Sequence, residues 1–224
     1  MRRRFFTLDV FTATRFAGNP LAVVLDAEGL DEAVMPALAR EFNLPETVFV
    51  FPPDVSGHRA RLRIFTPARE LPFAGHPTVG AAVLLAHLDG GTSARELILG
   101  ERVGPITCLV NPSKDGGSAD FDIPKRPEKI GAVRDVAKLA AALSLTVDDL
   151  GCENFAPEHW SAGNPFTFVP VRGLAAIGRA KPNAAHWGEA FGAGDPPGAF
   201  LLCAEHERQL GGGSPLSSLM AAKG

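Results

Sequence analysis

Tyrosine is absent from all 224 residues, so no phenol is available to carry a proton in any chemistry this chain performs. Cysteine is scarce. Cys108, Cys152 and Cys203 are widely spaced and odd in number, which argues against a disulfide framework and for a reducing compartment, so a cytoplasmic location is expected. No CxxC pair and no HExxH is present, so no metal site has sequence support. No GxGxxG follows a strand and no Walker lysine loop occurs, so no dinucleotide or nucleotide cofactor is expected either. Apolar runs stay well below the ~20 residues of a membrane-spanning helix. The net charge of -3 gives no reason to expect nucleic acid or an anionic membrane as a partner. The opening MRRRFFTLDVF resembles a twin-arginine export signal only superficially. No sustained apolar stretch or small-residue cleavage site follows, so it reads as a first strand.

What remains is a globular composition, 46% hydrophobic and 21% charged, long enough for one large domain or two small ones. Strands are expected over 4–10, 21–25, 46–51 (ETVFVF), 58–66, 97–99, 104–111 and 119–123, with Lys114 to Ser118 as a hairpin loop. Asp31 is a plausible N-cap for a helix reaching Phe42, where Val34, Leu38 and Phe42 recur at helical spacing. The stretch ELPFAGHPTVGAAVLLAHL is unusual. Pro77 suits the first position of a helix running from about 77 to 88. The body of that helix has no polar face, so it must be enclosed, and a sheet wrapped around it is the natural enclosure. Gly80, Ala81 and Ala82 would let strand backbones approach closely, and Asp89-Gly90-Gly91 ends the run.

These elements suggest an N-terminal lobe over 1–125. The charged, proline-broken PKRPE (124–128) acts as linker to a second lobe over 126–210. There, 132–144 reads as an amphipathic helix, 160–172 as a turn and strand, and 198–204 as another strand. Residues 211–224 form a Gly/Ser-rich, low-complexity tail expected to be disordered. The turn Ala17-Gly18-Asn19-Pro20 recurs as Ala162-Gly163-Asn164-Pro165, each copy before a strand, which is consistent with two similar lobes.

The start of an enclosed helix presents unpaired N–H groups and partial positive charge, a ready site for a carboxylate. Gly75 removes a side chain that would stand in the way, and His76 can donate, accept or carry a proton. His76 can equally be a cap that bonds within the core. Glu46 opens an apolar strand whose surroundings would raise its pKa and suit it to give and retrieve a proton, or else it is a solvated strand-end carboxylate. Glu70 is expected to pair with Arg69 on the surface, and Asp9 to be a hydrogen-bonded strand residue. His58, His87, His159, His186 and His206 carry no motif and read as structural or surface groups, and the cysteines as buried small hydrophobes.

In order along the chain, DVFTATRFAGNPLAVV, NLPETVFVF, FTPARELPFAGHPTVGAA, FDIPKRPE and SAGNPFTFVPV resemble the phenazine-biosynthesis isomerase (PhzF-like) family over about 5–203. The resemblance implies an α+β, diaminopimelate epimerase-like fold: two similar lobes, each a β-barrel-like sheet around a central helix, with the site between them. It implies a cofactor-independent isomerase or epimerase that moves a proton on a small carboxylate-bearing substrate, and a possible homodimer. Carried over by position, Glu46 is the acid/base, while Asn19, Gly75 and His76 contact the substrate. One family stretch, an acidic residue followed by Asp-Pro-Ala-Thr-Gly-Ser that opens the second central helix, has no counterpart. Asp195-Pro196-Pro197-Gly198 matches it in letters only and precedes its strand instead of following it. The expectation is therefore an incomplete second lobe in a chain cut short by truncation or frameshift. A catalytically silent ligand- or protein-binding relative is the competing function.

Overall fold

A computed structural model describes residues 2–123, 125–152, 154–163, 165–192 and 198–205. Asn164 of the repeated turn, Asp195-Pro196-Pro197, His206 and the 211–224 tail lie outside the described residues. The chain separates into two compact units, one up to Lys125 and one from Arg126.

The first unit contains β1 (Phe5–Val10), β2 (Asn19–Val24), α1 (Val34–Phe42), β3 (Glu46–Phe51), β4 (Ala60–Phe65), β5 (Glu70–Leu71), α2 (Gly75–Leu88), β6 (Arg95–Glu101), β7 (Gly104–Ser113) and β8 (Gly116–Phe121). Its strands form one eight-stranded sheet in the order β1-β2-β3-β4-β6-β7-β8, with the two-residue β5 on β4. Two neighbours are parallel, β2 with β3 and β4 with β6. A parallel pair needs a crossover between its strands. The first crossover carries α1 and the second carries α2. They lie on opposite faces. α1 covers Val24, Phe49, Phe51 and Phe65 with Met35 and Ala39. α2 covers Leu21, Val23, Val48, Val50, Leu62 and Ile64 with Ala81, Ala82, Leu84 and Leu85. This explains why ETVFVF is apolar at every position after its threonine: β3 is buried on both faces.

The expected enclosure is present. α2 touches β1, β2, β3, β6, β7 and β8, including both end strands, so the sheet curls around it. The wrap is incomplete. Val79 and Val83 stay half-buried along a groove of about 760 Å³ between β1 and the β7–β8 turn. Close approach is visible at Gly80, where an added Cβ would lie 2.6 Å from Leu21 Cδ2 and 2.9 Å from Val10 Cγ2.

Four sequence expectations need correction. α2 begins at Gly75, so Pro77 is its third residue. The structure still tolerates it there, because the first-turn N–H groups have no helical partner. α1 begins at Val34, and Asp31 acts just ahead of it, accepting from Ala33 N at 2.8 Å. Glu70 pairs with Arg63 at 2.8 Å and with Arg102 at 3.3 Å, not with Arg69. Cys108 is fully buried, but Cys152 and Cys203 are only partly so.

The second unit holds β9 (Glu128–Ala132), α3 (Val136–Ala142), a 3₁₀ turn (Val147–Asp149), β10 (Glu158–Ser161), β11 (Pro165–Pro170), α4 (Leu174–Arg179), α5 (Ala184–Ala190) and β12 (Ala199–Leu202). The sheet order is β12-β11-β10-β9, with β11 and β12 parallel. Leu139, Ala140 and Leu143 pack with Ala176 and with Val169 and Val171 of the β11 segment. As expected of an incomplete second lobe, no barrel around a long central helix is present among the described residues of this unit. Among the described residues its α-helices have six or seven residues, and the core is helix against sheet.

Gly80→Val provides a test of the tight packing around α2. Its branched side chain must displace Leu21 and Val10, both buried, at a cost of about 1–3 kcal/mol. Urea unfolding should show a lower midpoint with an unchanged slope, whereas an unchanged midpoint would mean that the wall around α2 yields.

Candidate active site

Parallel pairing of β2 with β3 sets Leu21 opposite Glu46, so the beginnings of these two strands lie side by side. Asn19 is two residues ahead of Leu21. The start of α2 reaches the same place. Asn19 Nδ2 lies 3.2 Å from His76 Nδ1, and His76 Nε2 lies 3.1 Å from Glu46 Oε2. The structure thus gathers Asn19, Glu46, Gly75 and His76 at one point. Which ring nitrogen of His76 donates and which accepts follows from the tautomer, and the Asn19 amide, with both a donor and an acceptor atom, can meet either form.

Glu46 Oε2 and His76 Nε2 are at hydrogen-bonding distance but not in hydrogen-bond alignment, and both atoms are buried with no other partner. Buried polar atoms are normally satisfied, and exceptions need a reason. A ligand that supplies the missing partners is one. Burial pushes the Glu46 carboxyl up to about 7. It pushes the His76 imidazolium down to about 4, even though a hydrogen bond to the Pro20 backbone favours the charged ring. Both shifts have the same cause, since removing water from a charge is expensive. The pair therefore holds one proton as neutral carboxylic acid beside neutral imidazole, and releases it near neutrality.

The helix start follows from the local sequence. Ala74 is the N-cap, extended and unable to cap with its side chain. Pro77 has no N–H, and the Thr78 N–H already bonds Ala74 O at 3.2 Å. The first-turn donors left for a ligand are those of Gly75 and His76. A Cβ added at Gly75 would meet only the Phe121 ring at 3.8 Å, an ordinary contact. The protein itself therefore does not require glycine here, and its effect is to leave open space in front of the helix.

Two contributors escaped the sequence reading. Phe11 sets its ring edge-on to His76, with centroids 6.4 Å apart. It and Phe16 have positive φ, 64° and 65°, a strained conformation for bulky residues. Asp9 Oδ2 helps hold the loop by accepting from Phe16 N at 2.9 Å. No sequence signal marks that backbone. The second is Glu101, buried at the end of β6, whose Oε1 is 2.6 Å from Thr78 Oγ1 on α2. Its signal was available, because Leu97, Leu99 and Glu101 share one face of the strand. Among the described residues, no group of three or more His, Cys, Asp or Glu gathers as a metal site requires.

A curled sheet around a central helix is the α+β fold this chain shares with solved epimerase and PhzF-family structures. Residues 8–200 match the phenazine biosynthesis-like protein family, and the chain belongs to it. It is 49% identical over 187 residues to an uncharacterized isomerase of Mesorhizobium japonicum, covering 84% of this chain and 62% of that one. It is 33% identical over 180 residues to the trans-2,3-dihydro-3-hydroxyanthranilate isomerase of Pseudomonas aeruginosa, covering 80% and 61%. A solved structure of a predicted epimerase from Pseudomonas aeruginosa superposes with a TM-score of 0.76 at 36% identity, over 90% of this chain and 70% of that one. The chain spans about three fifths of the length of the curated relatives it matches. No described helix is long and apolar enough to cross a membrane.

The pKa shifts predict opposite pH limbs of stability. Glu46 is raised on folding, so it carries no penalty below about 4.5, where both states are protonated. As pH climbs to about 7, only the unfolded chain ionises freely, and stability is lost. His76 is lowered, so it costs nothing above about 6.5 and destabilises as pH falls towards about 4. Glu46→Gln should match wild type in acid and become more stable by about 2–3 kcal/mol at and above pH 7. Urea midpoints across this range check it, and a difference independent of pH would refute the assignment.

Proposed function

We propose that this site belongs to an isomerase or epimerase that moves a proton on a small carboxylate-bearing molecule without a cofactor. The observation that carries the reading is the Glu46–His76 pair, 3.1 Å apart and buried, at the uncapped start of α2. A carboxyl balanced near pH 7 can take a proton from carbon and return it at another atom with comparable ease in both directions. Such a transfer changes no oxidation state of the molecule as a whole. The substrate carboxylate lies against the N–H groups of Gly75 and His76, where the helix dipole favours negative charge. Through Nε2, neutral His76 donates to or accepts from Glu46 or the substrate according to its tautomer, and Asn19 holds the ring from the other side. The isomerase names of the relatives support the same class.

A second reading, a ligand-binding relative with no turnover, is favoured by one observation. The expected Asp-Pro-Ala-Thr-Gly-Ser stretch has no counterpart among these 224 residues.

Deuterium uptake from solvent separates the two readings. With trans-2,3-dihydro-3-hydroxyanthranilate and a panel of other small unsaturated or α-substituted carboxylates as probes, the chain should place deuterium on carbon in at least one of them. Glu46→Gln should slow this by roughly 10²–10⁴, and His76→Asn should slow it less. Uptake by neither wild type nor variant on any probe would remove the isomerase reading and leave the binding one.

A further inference from the structure

We propose that Glu101 is a positioning residue that, as a neutral carboxylic acid, anchors the substrate-binding turn of α2 through Thr78. On ionisation it would weaken carboxylate binding at that turn. The proposal rests on the anion site described above and adds a residue to which the mechanism has so far given no role.

Proton counting at Thr78 carries it. Thr78 Oγ1 lies 2.8 Å from Ala74 O and 2.6 Å from Glu101 Oε1. A hydroxyl has one proton and can donate to only one of them. Ala74 O is a pure acceptor, so the Thr78 proton goes there, as threonines in helices commonly bond back one turn. The 2.6 Å contact then needs a proton from the other side, and Glu101 Oε1–H is the only donor in place. The second oxygen agrees. Glu101 Oε2 is buried with no hydrogen-bond partner. A neutral carbonyl oxygen can be left so at modest cost, whereas an anionic one cannot.

Among the described residues, no cation acts on Glu101 to favour its charged form. Within this unit the buried polar or charged side chains besides Glu101 are Thr47, His76 and Thr78. Glu46 is half-buried beside His76. From β7, the strand paired with β6, the titratable neighbour is Cys108, a thiol that burial and then the Glu101 charge push up to about 12. Arg102 turns away to Glu70. Burial pushes the Glu101 carboxyl up to about 7, outweighing the opposite pull that a hydroxyl proton donated by Thr78 exerts on the charged form.

The geometry ties this proton to the ligand site. Thr78 is three residues beyond Gly75, about 4.5 Å along the helix. If Glu101 loses its proton, Thr78 must turn to the carboxylate and release Ala74 O. A full negative charge then stands one turn behind the N–H groups that hold the substrate. Two effects follow, repulsion and a loosened turn. Affinity for a carboxylate should fall roughly fivefold to twentyfold across the titration.

The test uses the whole chain. NMR of protein carrying ¹³C at the glutamate side-chain carboxyls should show two resonances titrating near pH 7. One should disappear in Glu46→Gln and the other in Glu101→Gln. Calorimetry with benzoate should show weaker binding at about pH 8.5 than at about pH 6. Against a Glu46→Gln background, which removes the other carboxyl that titrates near pH 7, adding Glu101→Gln, whose amide still donates to Thr78, should keep the affinity seen at low pH and abolish the remaining fall, while adding Glu101→Ala should give weak binding throughout. A Glu101 resonance titrating in the ordinary carboxylate range overturns the proposal, as does a fall in the Glu46→Gln protein that Glu101→Gln leaves unchanged. Failure of benzoate to bind at either pH overturns the site reading and the linked loss of affinity. The titration of the wild-type protein, which needs no ligand, then decides alone whether Glu101 is the neutral anchor.

Discussion

Everything at the site depends on the burial of α2. A fourteen-residue helix with no polar face cannot lie on a surface, and the sheet that curls around it buries His76, Pro77 and Thr78 along with the leucines further on. Burial of the first turn does two things at once. It removes water from N–H groups that have no helical partner, and it places Glu46 and His76 in a medium where charge is expensive. A solvated helix start would have its donors bonded to water, and a solvated Glu46 would be an ordinary carboxylate. One packing constraint therefore supplies both features on which the proposed function rests, the unpaired N–H groups and the carboxyl held near neutrality.

The same constraint explains why the pair is kept neutral. Glutamic acid beside imidazole and glutamate beside imidazolium contain the same number of protons, so only solvation and geometry choose between them. Close approach favours the ion pair by Coulomb attraction, while loss of hydration opposes it for both partners. Misalignment of the 3.1 Å contact weakens the attraction, and neither atom has a second partner to steady a charge. The neutral pair wins. Under the proposed function that choice matters, because a carboxylic acid poised near neutrality both gives and takes a proton, whereas a locked ion pair does neither readily.

Sequence reading was strongest where one element answers to one physical demand. ETVFVF, β-branched and aromatic, had to be a strand, and TVGAAVLLAHL, with no polar face, had to be an enclosed helix. It was weakest where structure is made by partners distant in sequence. Arg69 is next to Glu70 in the chain, but β4 and β5 pair Phe65 with Glu70, and that register brings Arg63, on the same face of β4, diagonally to the carboxylate. The two-residue β5 and the helices LAAIGR and AAHWGEA are too short for a period to register. β9 lay beside the PKRPE stretch that composition marked as linker, and it becomes a strand because β10 pairs with it. The four-residue echo Ala-Gly-Asn-Pro reports a turn, and a turn does not dictate what packs beyond it, so the helix-on-sheet core of the second unit was not legible from it.

The capping pattern sets α2 apart for a reason that propensity alone does not supply. Each of the other four α-helices meets a side-chain oxygen at or just ahead of its start. Asp31 precedes α1, Asp135 caps α3, Glu205 accepts from Leu174 N at α4, and Asn183 caps α5. α2, the most buried of them, begins with Ala74 and has no side-chain cap among the described residues. On stability grounds the order should be reversed, because an orphan N–H costs most where water is excluded. A cap at Ala74 would satisfy those donors permanently and, under the proposed function, close the site to the substrate carboxylate. Leaving them open raises the energy of the free protein, a cost that the proposed substrate would offset on binding. The helix is instead tied one turn further in, where Thr78 meets Glu101, so the turn can be held firmly without using the groups that bind.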